Sequence, residues 1–474
     1  MFALVARTPQ RALVLQGGGA LGAYEAGVFK ALYDKLYEPG KALFDIVAGT
    51  SSGAINAAIL VSHVIKNKNK NKNGWENADQ TLLDFWHTLS SPTPLSGHFG
   101  EFWSGEAGRR YYSVKEFFSR GLEKVHSAPD TILDYKFQDY LPYFYFSPNV
   151  TANSRYRYSN RPLRESIKKF FPIPIATRQG EGEPRLLTVA VDVVEGATVT
   201  FDSYLYVGKK CLICEKDIGK DKLVEHVNRK HGASIKNDVR WSVYGDKENR
   251  QAIFYEDGID VKHVIASTSI PIFYDYEEID GHKFWDAGIL SNTPLRELIQ
   301  AHRDYWHKDR DKEVPDLQVY IVNIWPKKES TMTPPSDNDG LNDRRNDLIY
   351  HDKTEYDQKV ARLITDYVNF VKDLINLAND AINEVGAAEK KEELKRRLTK
   401  IKETPAASEK REPEKERPRT YEDILKGRFG LESVVTIERT DDVNDISYKW
   451  EDLTSETVRS LIDQGYEDGK RALK

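Results

Sequence analysis

From residue 11 to about 65, short apolar runs alternate with glycine turns and longer apolar stretches, the rhythm of β-α-β units. ALVLQGGGALGAYEAGVFKALYDKL predicts strand, glycine loop and helix in that order. LFDIVA, Leu43 to Ala48, predicts a buried strand, and SGAINAAILVSHVI a buried helix after it. Strand-like runs return between 186 and 325 as LLTVAVDVV, HVIAS and LQVYIVNIW. Between these blocks, KNKNKNKN at 66–73 predicts a polar loop able to touch anionic lipid or simply remain solvated. Residues 75–172 are rich in aromatics, which suit a packed cap as well as an acyl pocket. Beyond 325 the chain is charged and predicted mostly helical. There Tyr356, Val360, Leu363, Tyr367, Phe370, Leu374, Leu377 and Ala381 step 4-3-4-3-4-3-4. A second apolar row, from Ile364 to Val385, lies beside the first. Two adjacent rows predict a helix packed on the protein rather than a narrow coiled-coil seam. The densest charge, 387–419, predicts a linker or exposed hairpin.

Composition narrows the class. The 474 residues carry 69 Lys and Arg against 74 Asp and Glu, a net charge of −5, which is no nucleic-acid signature over the whole chain. No apolar run approaches the ~18 residues that a bilayer span needs, and the first residues lack the apolar core of a secretory signal. Two cysteines three positions apart make no disulfide framework. A cytoplasmic protein, peripheral at a membrane if it meets one, is the expectation.

Candidate chemistry begins at AGTSSGAINAA, 48–58. A nucleophile elbow places the serine on a strained strand-to-helix turn, with glycines two before and two after where larger side chains would collide with backbone. Only Ser51 has that frame, in Gly49 and Gly53; Ser52 does not. Upstream, Gly17, Gly19 and Gly22 match G-x-G-x-x-G. One reading is a dinucleotide site, but that needs an acid at the end of the second strand. Asp45, the only acid in LFDIVA, falls early in the run, and the serine elbow occupies the ribose position. The other reading is an oxyanion hole, in which glycines allow close approach and N–H groups face developing negative charge. Both loops leave the carboxyl ends of their strands and so share one crevice. A third element, EIDGHKFWDAGILSNTPLREL, sets Asp286 at the end of a short strand before Ala287 and Gly288.

Taken together, these motifs resemble the patatin-like phospholipase family over about residues 11–300. The resemblance rests on Gly17-Gly18-Gly19-Ala20-Leu21-Gly22, Gly49-Thr50-Ser51-Ser52-Gly53, Asp286-Ala287-Gly288 and the segment HVIASTSIPIFY. It implies an α/β fold with a mainly parallel central sheet between helices, followed by a mostly helical extension over 301–474. It also implies a phospholipase A-type acyl hydrolase acting on phospholipid or another acyl lipid, without a catalytic metal. Ser51 attacks the ester carbonyl, Asp286 takes the proton without histidine, and N–H groups of Gly17, Gly18, Gly19 and Ser52 supply the oxyanion hole. Two positions depart from the family pattern: Ala287 stands where glycine is usual, and Leu21 where Arg or Lys is frequent. The tail resembles an extension on a bacterial and archaeal branch of the family, especially at 452–473.

One motif stands apart. Cys211, Cys214, His226 and His231 give C-x2-C, eleven residues, then H-x4-H, close to zinc-finger spacing, with Ile218 and Leu223 as its small core. A structural zinc in an inserted module over 207–236 is predicted. Nucleic-acid reading by this module is disfavoured. Counting back from His226, the base-reading positions fall on Gly219, Lys222 and Glu225, and there is a single finger.

Overall fold

The computed structural model describes residues 9–70, 72–90, 160–171, 174–178, 182–204, 241–246, 250–255, 258–279, 281–308, 314–328, 334–335, 338–405, 420–426, 429–440 and 449–474. Most of the aromatic-rich stretch and the four predicted zinc ligands lie outside these residues.

Ten strands form one sheet: β1 (Gln10–Leu15), β2 (Ile46–Thr50), β3 (Arg185–Asp192), β4 (Ala197–Asp202), β5 (Trp241–Asp246), β6 (Arg250–Tyr255), β7 (Glu277–Ile279), β8 (His282–Asp286), β9 (Leu317–Asn323) and β10 (Leu431–Glu438). The helices are α1 (Gly22–Leu36), α2 (Ser52–Lys68), α3 (Ala78–Leu89), α4 (Arg161–Phe170), α5 (Val261–Thr268), α6 (Leu295–Arg303), α7 (Asn338–Tyr350), α8 (Glu355–Glu384), α9 (Ala388–Lys402), α10 (Tyr421–Lys426) and α11 (Ser455–Ala472). The strand order is β10-β9-β1-β2-β3-β4-β6-β5, and the run from β10 to β3 is parallel throughout. Alternation along β1 explains why both faces are covered. Leu13 and Leu15 enter the core cluster that includes α1, α2 and α3, while Ala12 and Val14 face the cluster containing Leu295 and Leu298 of α6.

Beside β3 the pairing changes in a way that matters for the site. β2 runs parallel along β3 as far as Thr50 opposite Val189. From the next residue, Ala190, β3 pairs antiparallel with β8, and Asp286 is its first partner. The elbow strand and the aspartate strand thus meet end to end on one strand.

Two expectations from the pattern differ in the structure. HVIAS is not a strand but most of α5, because the Asp260 side chain caps the helix start and His263 Nδ1 accepts from the Asp260 N–H at 2.7 Å. The polar repeat is partly helical, with α2 running to Lys68. The expected strand LQVYIVNIW is β9, which pairs with β1, and the mostly helical tail adds β10, which pairs with β9 and extends the sheet.

Helix α11 is packed into the domain rather than appended to it. It crosses α1 so closely that a Cβ on Gly27 would overlap the Ile462 carbonyl, and one on Gly465 the Tyr24 carbonyl. Tyr24 donates to Asp468 at 2.9 Å within the same contact. Substitution Gly27→Val is therefore expected to force the two helices apart and cost roughly 1–3 kcal/mol or more in urea unfolding. Gly386→Ala, where nothing lies within 4 Å, is expected to leave stability unchanged.

Candidate active site

The turn between β2 and α2 carries the nucleophile candidate. Ser51 has φ 54° and ψ −122°, a region that side chains rarely adopt and that surrounding structure must hold. Three contacts do so. The Ser51 N–H donates to Ser267 Oγ at 3.0 Å, and Ser267 donates onward to the Val189 carbonyl of β3. Thr50 Oγ1 donates to the Ser291 carbonyl at 2.9 Å. The elbow glycines are steric necessities: a Cβ on Gly53 would meet the Leu15 carbonyl, and one on Gly49 the backbone of Gly53.

Asp286 closes β8 directly beside this turn. Its N–H donates to the Ser269 carbonyl at 2.9 Å, and its Oδ1 accepts from the Gly288 N–H at 2.7 Å. Ser51 and Asp286 are 6% and 4% exposed. Burial pushes the Asp286 carboxyl up to about 6; the Ser51 hydroxyl and the Gly288 N–H pull it back only part of the way. The two departures from the family pattern both point into the core. Ala287 packs with Val189 and Val191, and Leu21 lies in the main core cluster.

The glycine loop lies against the elbow, and a Cβ on Gly17 would come within 2.9 Å of Ser51 Cβ. Its peptide groups are individually assigned. The Gly17 N–H donates to the Asn292 carbonyl at 3.1 Å, and the Gly18 N–H to Ser52 Oγ at 3.0 Å. The Gly17 carbonyl accepts from Trp325 Nε1 at 2.6 Å and from Asn292 Nδ2 at 3.0 Å. The Gly18 carbonyl accepts from the Leu21 N–H. The N–H groups of Gly19 and Ser52 have no acceptor among the described residues. Gly19 has φ +57° and sits against the Trp450 carbonyl, so no side chain fits there. Both α1, from Gly22, and α2, from Ser52, begin here, directing two helix N-termini at the same place.

Beneath the loop is a buried polar group that sequence reasoning missed. Glu25 Oε2 accepts from Asn56 Nδ2 at 2.8 Å, Asn56 also donates to the Gly22 carbonyl, and Trp86 Nε1 donates to Asn56 Oδ1 at 3.0 Å. Burial raises the Glu25 carboxyl well above its ordinary value. The only signal was an acid inside the small, apolar face of GAYEAG. Gln16, Ser267, Asn292 and Trp325 were also missed as site residues, although Gln16, Ser267 and Asn292 lie in segments the motifs had marked.

The histidines that could rival Asp286 as base are engaged elsewhere. His263 is buried at the start of α5 against Phe201, and burial pushes it down to about 3. His302 bonds the Pro315 carbonyl and is likewise pushed down to about 3. His282 Nδ1 meets Asp192 at 2.9 Å, and His351 Nδ1 the Leu348 carbonyl. His63 bonds Glu76 and Thr81. Asp45, the acid considered for a ribose, accepts instead from the Arg11 N–H at 2.8 Å. Among the described residues no group of three or more His, Cys, Asp or Glu is arranged to hold a metal, and no helix is long and apolar enough to cross a membrane.

No curated protein matches the chain. The crystal structure of VipD from Legionella pneumophila is similar across 99% of this chain and 67% of its own, at 14% identity and a TM-score of 0.29, too slight a likeness to argue from. The model of one family, described as patatin-like phospholipase, matches residues 13–299. That is roughly three-fifths of the chain and contains the elbow, the glycine loop and Asp286, so the chain belongs to the patatin-like phospholipase family.

Proposed function

We propose that the protein is a phospholipase A-type acyl hydrolase that cleaves fatty-acyl esters with a Ser51–Asp286 dyad through an acyl-enzyme. The observation that carries this reading is the pairing of a strained, buried serine with a buried carboxyl whose pKa is raised toward neutrality. Asp286 accepts the Ser51 proton as the hydroxyl attacks the ester carbonyl, and returns it to the leaving alcohol. A water activated by the same carboxylate then releases the fatty acid. The N–H groups of Gly19 and Ser52 are the donors left for the oxyanion, while those of Gly17 and Gly18 shape the loop. Substrate reaches the site from a membrane surface that the protein meets peripherally.

A fluorophosphonate probe is expected to label Ser51 and to fail on Ser51→Ala. Asp286→Asn is expected to lower kcat by at least roughly a hundredfold, the scale of a lost general base. Activity on the acid limb is expected to fall with a midpoint near 6, because the protonated carboxyl cannot accept. Stability runs the other way. A carboxyl raised by folding favours the folded state while protonated, and that contribution disappears as pH rises through about 6. Asp286→Asn carries no such cost, so at pH 8 it is expected to be more stable than the wild type by roughly 1–3 kcal/mol in urea unfolding. Equal probe labelling of the wild type and Ser51→Ala, or full turnover in Asp286→Asn, would refute the dyad.

The clamp on the Gly17 carbonyl gives a separate expectation. Trp325→Phe and Asn292→Ala each remove one donor and free the peptide that orients the loop. Either is expected to lower kcat about tenfold or more with little change in KM, the signature of a contact that matters in the transition state. A rise in KM at constant kcat would place these residues in substrate binding instead.

We further propose a structural zinc held by Cys211, Cys214, His226 and His231. The chain leaves the sheet for this insertion after β4 and returns at β5. Pairing register sets Asp202 opposite Leu187 and Trp241 opposite Tyr255. Asp202 is thus level with Ala48 of β2, across β3 from it, and β4 runs away from the Ser51 end of the sheet, which favours a clip over a catalytic metal. Elemental analysis is expected to find about one zinc per chain, reduced in Cys211→Ser, while ester hydrolysis persists. Loss of turnover together with zinc from a folded protein would make the metal catalytic.

A further inference from the structure

Helix α8 leaves most of its first apolar row uncovered, with Val360 half-buried. Tyr356, Leu363, Tyr367, Phe370, Leu374 and Leu377 are between 48% and 76% exposed. Most of the second row faces inward: Ile364, Val368, Ile375 and Ala378 are half-buried, Ile382 is buried just before the chain turns into α9, and Val371 alone of the five before Ile382 is exposed. The expected wide stripe is thus divided, with one row used by the protein's own packing and one left in solvent. The early part of α8 is fixed to the domain through Arg296–Asp357, at 2.9 Å, and through Thr365 Oγ1, which accepts from the Leu431 N–H.

The exposed row keeps a strict seven-residue repeat. On a straight helix of 3.6 residues per turn such a row drifts by about 20° per heptad, so it remains one seam only against a helix that supercoils with it. A flat surface does not require this period. Charge identifies the partner further. Asp366, Asp373 and Asp380 each stand one residue before a seam residue, so they form an acidic edge on the side away from the half-buried row. Helix α8 carries six acids against three bases. Helix α9 carries seven bases against three acids. This acidity also opposes docking of α8 on anionic lipid.

We propose that α8 and α9 form a dimerisation hairpin, and that its partner is the same hairpin of a second copy of this chain. The two α8 helices run parallel about a two-fold axis, seam against seam. In that arrangement the acidic edge of one α8 faces the inward-row side of its partner, the side on which the proposal sets the partner's α9. The axial levels agree. Helix α9 folds back from Ala388 over fifteen residues, about 22 Å at 1.5 Å per residue, which brings its bases level with Asp373 and Asp380. An antiparallel pair would place that edge beside the first half of the partner's α8, beyond the reach of α9.

Light scattering coupled to gel filtration tests this on the full chain. The expected mass at micromolar concentration is twice 54.3 kDa. Leu363→Glu with Phe370→Glu is expected to give monomers with unchanged circular dichroism and unchanged hydrolysis of a dispersed short-chain ester. Asp373→Lys with Asp380→Lys, and separately Arg396→Glu with Lys400→Glu, are each expected to weaken the dimer by roughly tenfold or more. Mixing these two charge variants is expected to restore a heterodimer, because each acidic or basic edge then meets its complement. A monomeric wild type, a dimer that survives Leu363→Glu with Phe370→Glu, or a mixture that stays monomeric overturns the proposal. So does a monomeric wild type whose binding to phosphatidylcholine–phosphatidylglycerol vesicles disappears in Leu363→Glu with Phe370→Glu, which would assign the seam to lipid.

Discussion

One edge of β3 is shared by two strands running in opposite directions, and the site depends on that arrangement. β2 occupies the edge up to Val189 and β8 from Ala190 onward. Adjacent positions on a strand are about 3.3 Å apart. Two chain ends brought together within one residue of register must both leave the sheet at once. β2 leaves through the elbow and β8 through the short turn beginning at Ala287. The side chains at this junction, Ser51 and Asp286, are held together by strand pairing rather than by any long, flexible reach. The geometry is therefore set by backbone hydrogen bonds whose cost of reorganisation is high, which is the preorganisation that acyl transfer requires.

The same junction accounts for the energetic peculiarities around it. A strand that stops dead against another must turn sharply, and Ser51 takes an unfavourable φ that Ser267 and Thr50 hold in place. Close approach of three segments leaves no room for Cβ atoms at Gly17, Gly49 and Gly53. It also excludes water from Asp286, so the carboxyl is destabilised as an anion and becomes a stronger base than free aspartate. Strain, glycines and the raised pKa are three consequences of one packing constraint. Glu25 extends the pattern beneath the loop, where a buried acid joined to Asn56, and through it to Trp86, ties α1, α2 and α3 together.

What could be read from the chain was whatever steric necessity writes locally. The glycines around Ser51 and the order of strand, turn and helix follow from the elbow itself, so five residues disclosed it. Asp286 was legible because it ends a short strand before a turn. The partners of these residues were not legible, since Asn292 and Trp325 reach the loop across 275 and 308 positions of sequence, and Gln16, beside the loop, bonds Ile324 across 308. HVIAS illustrates the opposite failure. Its β-branched residues favour a strand, but the Asp260 cap and packing beneath β3 and β8 make it a helix. The apolar rows of α8 were found correctly as helical, yet periodicity alone does not say which rows meet the protein's own surface.

The family match ends at residue 299, but the structure that shapes the glycine loop does not. Trp325, just beyond β9, holds the Gly17 carbonyl, and Gln16 Oε1 accepts from the N–H groups of Ile324 and Trp325. The Tyr350 carbonyl at the end of α7 accepts from both Gln16 and Asn292. Lys449 bonds Asp347 of α7 at 2.8 Å and sits 5.5 Å over the Trp325 ring, while the next residue, Trp450, presses its carbonyl on Gly19. Removing the tail would expose the buried face of α1, strip β9 of its neighbour β10, and release the indole that orients Gly17. The residues before 300 supply Ser51 and Asp286, and those after 300 supply the walls against which the glycine loop is set. The hydrolase site is in that sense a product of the whole sheet from β10 to β3, and its boundary in sequence is not its boundary in space.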